Sequence, residues 1–443
     1  MAKPSKQQTE DVLLEVGKWT DGIVNARPGK DIPKTGLVDA VNVNISDAGT
    51  IVRRRGTKLE VGVATKGSSC FADEYGIYFK DGVVLKKATK KDGVWSVSTL
   101  KTGLNPIVPL FWTSAQGNTW YSNGIDRGKL IAGSHTEFSL EIPSGQPSAT
   151  GSSSGGTLSA GRYAIAVSFI SSSGEESGTQ ARIFVEVPAS EKILDKNHMN
   201  PVVPASGKIT VSNIPQPINS NIEYIRIYAS DANGTAVYKY ADYAVGTYVA
   251  TVMGTKTKGM MLTTELTDQF PSCTMIHAWR GYMLGAQGNI LWHSEPQRFG
   301  LCQLSENFIA FSAPITMIAP VDDGFYVVAD KTWFFSGGTA DKWSRVEVLP
   351  YGNAYPGSYA KHPYKVEVAW MCQKGQIVAR NSGELENKTI GKIAPNSFSN
   401  AASMIRVEDG IEQIVNVFPD QGKENIAVAS GYAEGKIIRA NQS

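Results

Sequence analysis

The sequence of 443 residues lacks the long apolar runs of a membrane protein. No apolar run reaches the roughly 18 residues that are needed to cross a bilayer. The first fifteen residues are polar and charged, without the apolar stretch of a secretory signal peptide. We therefore expect no membrane association, and a protein that is made in a cytoplasm and stays there unless it leaves as part of a particle.

Cysteines are few and widely spaced, which argues against a disulfide framework. Cys70, Cys273, Cys302 and Cys372 include no CxxC pair. A chain this long with so few cysteines is typical of a protein whose thiols stay reduced. We expect four buried free thiols.

The histidines form no pattern that a metal or catalytic site requires. They show neither HxH, HExxH nor a histidine–cysteine cluster, so zinc is not supported. The five histidines are His135, His198, His277, His293 and His362. No GxSxG nucleophile turn and no Walker phosphate loop occurs. The sequence therefore predicts no catalytic residue, no cofactor and no metal, and a protein that is not an enzyme.

One pair of adjacent carboxylates keeps an enzymatic alternative open. Asp322 and Asp323 would supply the two acids of a propeller glycosidase or lyase. Adjacent side chains on a strand diverge, however, and Asp323-Gly324 is typical of a hairpin turn. We favour the turn. Sugar released from a host polysaccharide by the purified protein would revive the enzyme hypothesis.

The formal net charge is only +2, which argues against a general nucleic-acid-binding protein with a strongly basic domain. One segment differs, because Ile51 to Leu110 contains 11 Lys and Arg against 5 Asp and Glu. Two interpretations remain open. The segment faces a phosphate or an acidic partner, or it is a solvated strand face, which we favour.

Helical periodicity is scarce, and short alternating runs bounded by glycine turns dominate. Glycine is abundant at 44 residues. Asp-Gly and Asn-Gly dipeptides tolerate positive φ at both turn positions and therefore suit type I′ hairpins. These dipeptides are Asp81-Gly82, Asp92-Gly93, Asn123-Gly124, Asn233-Gly234 and Asp323-Gly324. The chain is predicted to be all-β.

The stretch 148–254 is predicted to be an inserted β-sandwich. It opens with a flexible linker at Gly151–Gly156. Large apolar and small residues then alternate from Tyr163 to Phe169, which places a large apolar set on one strand face. A hairpin turn is expected next, at Ser173-Gly174. Further strands are expected at Arg182–Val187, Lys208–Val211, Glu223–Tyr228 and Ala236–Tyr240.

Three short sequence segments in this stretch resemble fibronectin type III and related immunoglobulin-like modules. They are AGRYAIAVSFISSSGEES, GKITVSNIP and EYIRIYAS. The resemblance covers about 100 residues, the size of one such module. It implies that Tyr163, Tyr224 and Tyr228 are core and corner residues of the sandwich.

The sequence on both sides of the insert is predicted to form a β-propeller-like body. Segments such as WTSAQGNTWYSNG and MIHAWRGYMLGAQGNILWH combine a strand, a tight turn and an aromatic strand. Propeller blades of about 40–50 residues are built in this way, which leaves room for about five to seven. The expected division is an arm with a first hairpin at 1–60, the body at 61–147 and 255–443, and the insert at 148–254.

Seven tryptophans are expected on blade strands, where packing between blades is favoured over an exposed glycan-binding surface. They are Trp112, Trp120, Trp279, Trp292, Trp333, Trp343 and Trp370. His277 and His293 lie beside two of these tryptophans in sequence, and we expect both to be structural.

The segment DGIVNARPGKDIPKTGLVDAVNVNISDAGTIVRRRGTKL is the most informative stretch. Val38–Ile45 alternates as a strand does, and Ile51–Arg55 returns after a turn. The pattern resembles the opening of phage tail and head-completion proteins, above all the tail nozzle and packaged-DNA-stabilising proteins of short-tailed phages. GGTADKWSRVEVLPYGNAYPGSYAKH resembles their propeller blades. The resemblance implies an arm that leads into a propeller body.

Three consecutive arginines, Arg53, Arg54 and Arg55, form a possible subunit interface. Their guanidinium groups would pair with carboxylates on an adjacent subunit. In the alternative interpretation, Arg53 and Arg55 share one solvated strand face, while Arg54 faces the other side.

The resemblance implies a structural component of a tailed-phage virion, assembled in the host cytoplasm. We expect a ring-forming tail subunit, in the nozzle or head–tail connector region, that lines or closes the DNA path. Expected partners are other tail or connector proteins, further copies of the chain, and packaged DNA in non-specific contact. The alternative is a tail-tip receptor-binding protein that recognises a host surface glycan.

Overall fold

The computed structural model describes most of the chain, and the described part is all-β. The described residues are 18–24, 26–27, 29–37, 43–45, 49–53, 67–191, 193–194, 201–202, 205–254, 259–393, 401–408, 411–418 and 427–431. The helices in these ranges are single 3-10 turns, at Gly29–Asp31, Ala340–Lys342 and Asn381–Gly383. None of them has the length or hydropathy of a membrane-spanning helix. The predicted all-β class is confirmed.

The chain folds into two compact units. The first unit is Leu59–Ile318, and the second combines Met1–Lys58 with Ala319–Ser443. The N-terminal part of the second unit contributes two small sheets, one parallel and one antiparallel. Their strands are β1 (Gly22–Ile23) with β2 (Gly36–Leu37), and β3 (Val43–Ile45) with β4 (Ile51–Arg53). The predicted N-terminal hairpin is present over its described residues, and Arg54 and Arg55 lie outside them.

The first unit begins with two four-stranded antiparallel sheets in which each strand pairs with the next along the chain. Meander sheet 1 consists of β5 (Gly67–Asp73), β6 (Gly76–Asp81), β7 (Val84–Lys91) and β8 (Val94–Thr102). Meander sheet 2 consists of β9 (Phe111–Ala115), β10 (Asn118–Ser122), β11 (Arg127–Ile131) and β12 (Ser134–Thr136). Buried side chains of both sheets, including Tyr78, Leu85, Tyr121 and Leu130, form one apolar cluster, so the two sheets share a core.

A two-sheet sandwich follows. Its strands are β13 (Ser148–Ser152), β14 (Gly161–Ser171), β15 (Ile183–Val187), β16 (Ile193–Leu194), β17 (Pro201–Val202), β18 (Lys208–Ser212), β19 (Ile222–Ser230), β20 (Val237–Ala244) and β21 (Ala250–Val252). One sheet has the order β13-β18-β21 and the other β15-β14-β19-β20, while β16 and β17 form a separate pair. The four strands predicted after the linker correspond to β15, β18, β19 and β20.

Alternation along β14 builds the sandwich core. Tyr163 and Phe169 lie in one buried cluster with residues of both sheets, such as Ile209 and Ile227. The opposite face is buried as well, because Ala164 packs in a second cluster beside Tyr228. Of the three tyrosines expected in the core, Tyr163 and Tyr228 are buried, but Tyr224 is 39% exposed. The prediction was wrong for Tyr224.

The first unit ends with a third meander sheet and a short two-stranded pair. The strands are β22 (Asp268–Gln269), β23 (Met275–Trp279), β24 (Tyr282–Gln287), β25 (Ile290–His293), β26 (Leu301–Cys302) and β27 (Phe308–Ala310). Meander sheet 3 has the order β23-β24-β25-β27, and β22 pairs with β26.

The second unit continues with two four-stranded sheets and a three-stranded sheet among its described residues. Their strands are β28 (Met317–Pro320), β29 (Gly324–Val328), β30 (Thr332–Ser336) and β31 (Ser344–Leu349); β32 (Ala360–Lys361), β33 (Val368–Cys372), β34 (Gly375–Ala379) and β35 (Leu385–Asn387); and β36 (Ala402–Glu408), β37 (Ile411–Val417) and β38 (Ala427–Gly431). β28 contains the boundary between the units. Meander sheets thus precede and follow the sandwich along the chain, and their closure into a propeller stays a prediction.

The tight turns depend on glycine more than on the residue before it. Asp92-Gly93 has positive φ at both positions, 51° and 81°, as a type I′ turn requires. Arg280-Gly281 has the same signs, with φ of 42° and 82°, although the arginine gave no sequence signal. Asp323-Gly324 has positive φ at neither position, and Asp81-Gly82, Asn123-Gly124 and Asn233-Gly234 have it at one position only. The I′ expectation was therefore wrong for these four dipeptides.

Candidate binding cleft beside the sandwich

A cleft of about 700 Å³ opens within the first unit. Its three walls are one face of meander sheet 2, the hairpin that follows β14 with the neighbouring strand β19, and the chain around Gln297–Leu301 with Met260. Sites for small organic ligands commonly have volumes of about 300–1,000 Å³. The cleft is therefore large enough for a molecule of one or two rings.

The first wall is a polar and aromatic strand face. Asn118 and Trp120 project from β10 on the same side, because they are two residues apart on a strand. Their partners across the antiparallel pair are Ile131 and Lys129 of β11. Trp120 is 4% exposed, and its ring packs edge-on against Phe138 at 4.9 Å between centroids. The Lys129 Nζ lies 5.0 Å from the Trp120 ring centroid, so a cation–aromatic contact forms the base of this wall.

The second wall is the hairpin after β14, whose Ser173-Gly174 turn was predicted. Gly174 has a φ of 82°, which allows the chain to reverse and present Glu175 and Glu176 to the cleft. Lys129 Nζ donates a hydrogen bond to Glu175 Oε2. Because the Lys129 side chain is only 5% exposed, this carboxylate compensates a largely buried ammonium group.

Glu176 is held by several donors on the outer face of the sandwich sheet. Its Oε1 accepts hydrogen bonds from Ser168 Oγ at 2.7 Å and from the Tyr228 hydroxyl at 2.5 Å. Its Oε2 lies 3.6 Å from Arg226 Nη1. Burial, followed by the hydrogen bond to Glu176, raises the pKa of Tyr228. The hydroxyl therefore remains a proton donor, and Glu176 is fixed in place.

Arg226 on β19 is committed to carboxylates on both sides. Its Nε donates to Asp242 Oδ1 at 2.6 Å and its Nη2 to Asp242 Oδ2 at 3.0 Å. These hydrogen bonds raise the pKa of the Arg226 guanidinium despite its partial burial. Arg226 is thus a structural cation in a bidentate pair, which fixes its geometry.

The third wall carries a cation that is not paired. Arg298 Nη2 donates to the Thr263 hydroxyl at 2.6 Å, and among the described residues no carboxylate lies within ion-pair distance of it. The neighbouring Gln297 side chain accepts a hydrogen bond from the Gln116 amide. Met260 is 51% exposed at the rim.

Two polar groups of the cleft are therefore available to a ligand. Glu175 pairs with Lys129, and Glu176 and Asp242 share Arg226, whereas Arg298 has a hydroxyl partner and no carboxylate within ion-pair distance among the described residues. The Asn118 side-chain amide makes no hydrogen bond to any described residue. The cleft can accept a negative group near Arg298 and hydroxyl groups near the amides.

Sequence reasoning did not find this cleft, and it singled out arginines elsewhere. Arg53 is exposed on β4 in the second unit, and Arg54 and Arg55 lie outside the described residues. The interface role of these three residues stays a prediction. Two signals lay near the cleft: the predicted turn at Ser173-Gly174, and the tryptophan pattern, which placed Trp120 on a strand, where it lies.

Cysteines, histidines and tryptophans are mostly structural. Cys273, Cys302 and Cys372 are buried free thiols as expected, but Cys70 is exposed, so the prediction was wrong for Cys70. His277 and His293 are buried. Six of the seven tryptophans lie on strands, and Trp343 directly follows a 3-10 helix. Within the described ranges, no group of three or more His, Cys, Asp and Glu side chains is placed to hold a metal ion.

Asp322 and Asp323 do not form a pair of converging acids. Asp322 is exposed. The Asp323 carboxylate accepts hydrogen bonds from the Ser382 amide at 2.8 Å and the Ser382 hydroxyl at 3.0 Å. Asp323 therefore anchors a neighbouring loop, and the hydrogen bond from Val321 N to Gly324 O makes this segment a turn.

The basic segment 51–110 is partly structural. Lys80 is 1% exposed, and its Nζ donates to the Val108 carbonyl at 2.6 Å. Lys86 forms an ion pair with Asp81. Lys90 and Lys91 are exposed at the end of β7. The described part of the segment thus divides between internal contacts and a solvated strand end.

Comparisons with known proteins leave the family open. No family model matches the chain, and no curated protein matches it. A chain in the crystal structure of the mitotic checkpoint complex is 8% identical and has a TM-score of 0.31, over 84% of this chain and 96% of that one. The computationally designed Ika8 protein is 9% identical with a TM-score of 0.28, over 85% and 96%. TM-scores this low show neither a shared fold nor a shared function.

Proposed function

We propose that the chain is a structural subunit of a tailed-bacteriophage virion, assembled in the host cytoplasm. In this proposal it forms a ring in the nozzle or head–tail connector region and lines or closes the DNA path. Its partners are further copies of itself, other tail or connector proteins, and packaged DNA in non-specific contact. Support comes from the resemblance of the N-terminal segment and from the meander sheets that precede and follow a sandwich along the chain.

The observation that carries the proposal is the exposed guanidinium of Arg53. Arg53 stands opposite Val43 in the β3–β4 hairpin, its side chain is exposed, and no described carboxylate pairs with it. A guanidinium group can bind a carboxylate of a neighbouring subunit through two parallel hydrogen bonds. The same contact repeated from copy to copy closes a ring when the rotation is right.

Apolar groups on an edge strand supply a second contact surface. β8 is the last strand of meander sheet 1, and Val94 and Val97 on it are 70% and 42% exposed. Exposed β-branched residues on an edge strand favour association with another chain. The small net charge of +2 suits a channel that guides DNA without gripping its phosphates.

The test is the assembly state of the purified full-length protein, measured by analytical ultracentrifugation and negative-stain electron microscopy. We expect closed rings for the wild-type protein and a shift to monomers for Arg53→Glu. Arg27→Glu is the matched control, because Arg27 is an exposed arginine of the same N-terminal segment. A wild-type protein that stays monomeric at every concentration would overturn the proposal. If the Arg53→Glu variant still forms rings, Arg53 is not part of the subunit interface.

Recognition of a host surface glycan at the tail tip is the second candidate function. The cleft beside the sandwich favours it, because the cleft combines amides, carboxylates and a cation with the aromatic side chains of Trp120 and Phe299. Adsorption of labelled protein to bacterial cells, and its loss after removal of surface polysaccharide, tests this function without reference to any one site.

A further inference from the structure

We infer that the cleft binds a sugar residue that carries a carboxylate, with that carboxylate on Arg298. The inference rests on the second candidate function and names its ligand class and site. It is independent of ring assembly.

The charge distribution selects an acid over a neutral sugar. Arg298 is oriented by its hydrogen bond to Thr263, and the Thr263 hydroxyl leaves its positive charge uncompensated. Lys129 and Arg226 already have carboxylate partners. The incoming acid is therefore directed to Arg298, where a planar carboxylate can accept two hydrogen bonds.

The same distribution disfavours a phosphate. Glu175 and Glu176 line the cleft together with the cations, so a group with two negative charges would meet both carboxylates. A single carboxylate at one end of the ligand avoids this repulsion, since the rest of the molecule is neutral.

Hydroxyl groups suit the remaining polar surface, because a hydroxyl both donates and accepts hydrogen bonds. The Asn118 amide makes no hydrogen bond to any described residue. The exposed Gln116 amide and the carboxylate of Glu175 stand at the same cleft. A ring carrying several hydroxyls can satisfy the amide and the carboxylate at once.

The experiment is isothermal titration calorimetry of the full-length protein with methyl β-D-glucuronide and, as the neutral isostere, methyl β-D-glucoside. We expect the glucuronide to bind about ten-fold more tightly, because its hydrogen bonds to a guanidinium group are charge-assisted. Arg298→Gln should abolish the preference, and Asn118→Ala should weaken both ligands. Arg162→Gln is the matched control. Arg162 is an exposed arginine of the sandwich whose guanidinium carbon lies 4.0 Å from the Phe184 ring centroid.

No measurable binding of the glucuronide to the wild-type protein overturns the inference, as does an acid preference that survives in Arg298→Gln. Arg298→Lys keeps the charge and serves where Arg298→Gln does not fold, with partial retention of the preference expected. The cell-adsorption assay tests glycan recognition by the whole protein, so its failure can be distinguished from a failure of the cleft to bind an acidic sugar. A protein that adsorbs to polysaccharide-bearing cells but binds no glucuronide recognises glycans elsewhere or of another class.

Discussion

Lys129 on β11 of meander sheet 2 donates a hydrogen bond to Glu175 in the sandwich hairpin, so that two separate sheets are joined by one ion pair. The lysine side chain is 5% exposed and the glutamate 30% exposed. The same ammonium group lies over the ring of Trp120. This pair closes the base of the cleft and anchors the insert to the sheet before it.

Removing only one partner of this ion pair should destabilise the fold more than replacing both partners by neutral side chains. Glu175→Gln leaves the Lys129 ammonium buried without its counter-charge, and we expect a loss of about 2–3 kcal/mol in the free energy of unfolding. The double variant Lys129→Met with Glu175→Gln should lose less than Glu175→Gln alone, because the buried charge is gone. Urea denaturation of the wild type, both single variants and the double variant measures the coupling. Additive losses would show that the two side chains do not act as a pair.

The sandwich was predictable because its signals are local. Alternation from Tyr163 to Phe169 places large side chains on one strand face within a single stretch of sequence. The turn at Ser173-Gly174 and the strands after it follow the same logic. Tyr224 failed because it shares the outer face of β19 with Tyr228, and this face is covered at Tyr228 but not at Tyr224. The resemblance did not show how far along the strand the cover extends.

The cleft was not predictable because no local pattern describes it. Its residues come from 116–131, 173–176, Arg226, Met260 and 297–301, and only tertiary packing brings them together. Arg298 is one arginine among many in the sequence. Its significance comes from the absence of a nearby described carboxylate, which is a property of the fold.

Gly178 packs so closely against the chain near Thr267 that the position should not accept a side chain. At Gly178 a Cβ atom would stand 1.8 Å from the Thr267 carbonyl oxygen, and Thr179 N donates to the Thr264 carbonyl at 3.1 Å beside it. The two nearest atoms, the carbonyl oxygen and carbon of Thr267, belong to the backbone and cannot rotate away. Gly178→Ala must therefore move one segment, and we expect a loss of about 3 kcal/mol, at the upper end for overpacking.

Thermal unfolding measures the effect of Gly178→Ala. Gly338→Ala is the control, because a Cβ atom there meets nothing within 4 Å, and its midpoint should match the wild type. Equal midpoints for Gly178→Ala and Gly338→Ala would contradict the close approach at Gly178.

Substitutions of the adjacent residues Asp323 and Asp322 should change the free energy of unfolding by different amounts. Asp323→Ala removes the acceptor of two hydrogen bonds from Ser382, and we expect a loss of about 1–2 kcal/mol in unfolding free energy. Asp322→Ala alters an exposed side chain and should change stability by less than about 0.5 kcal/mol. Chemical denaturation of both variants decides this. Equal losses would mean that the loop contact contributes little.

A buried histidine should make the first unit sensitive to acid. His277 on β23 is 8% exposed, and burial lowers its pKa from 6.5 to about 4. The folded chain therefore keeps the imidazole neutral at a pH where the unfolded chain takes up a proton. Stability is complete above the unfolded pKa and falls as the pH decreases from about 6.5 towards about 4. Linkage gives a loss of about 2 kcal/mol at pH 5 from this one group.

His277→Gln removes the titrating group, so its stability should fall less between pH 7 and pH 5 than that of the wild type. We expect the two losses, measured by urea denaturation at each pH, to differ by about 2 kcal/mol. Other histidines, such as the half-buried His135, whose pKa is lowered to about 4 by partial burial, titrate in both proteins and cancel in the comparison. The absolute stability of His277→Gln at pH 7 does not enter the test, because only the change with pH is compared. Identical losses in the two proteins would show that His277 keeps an ordinary pKa in the folded state, and that the strand around it admits water.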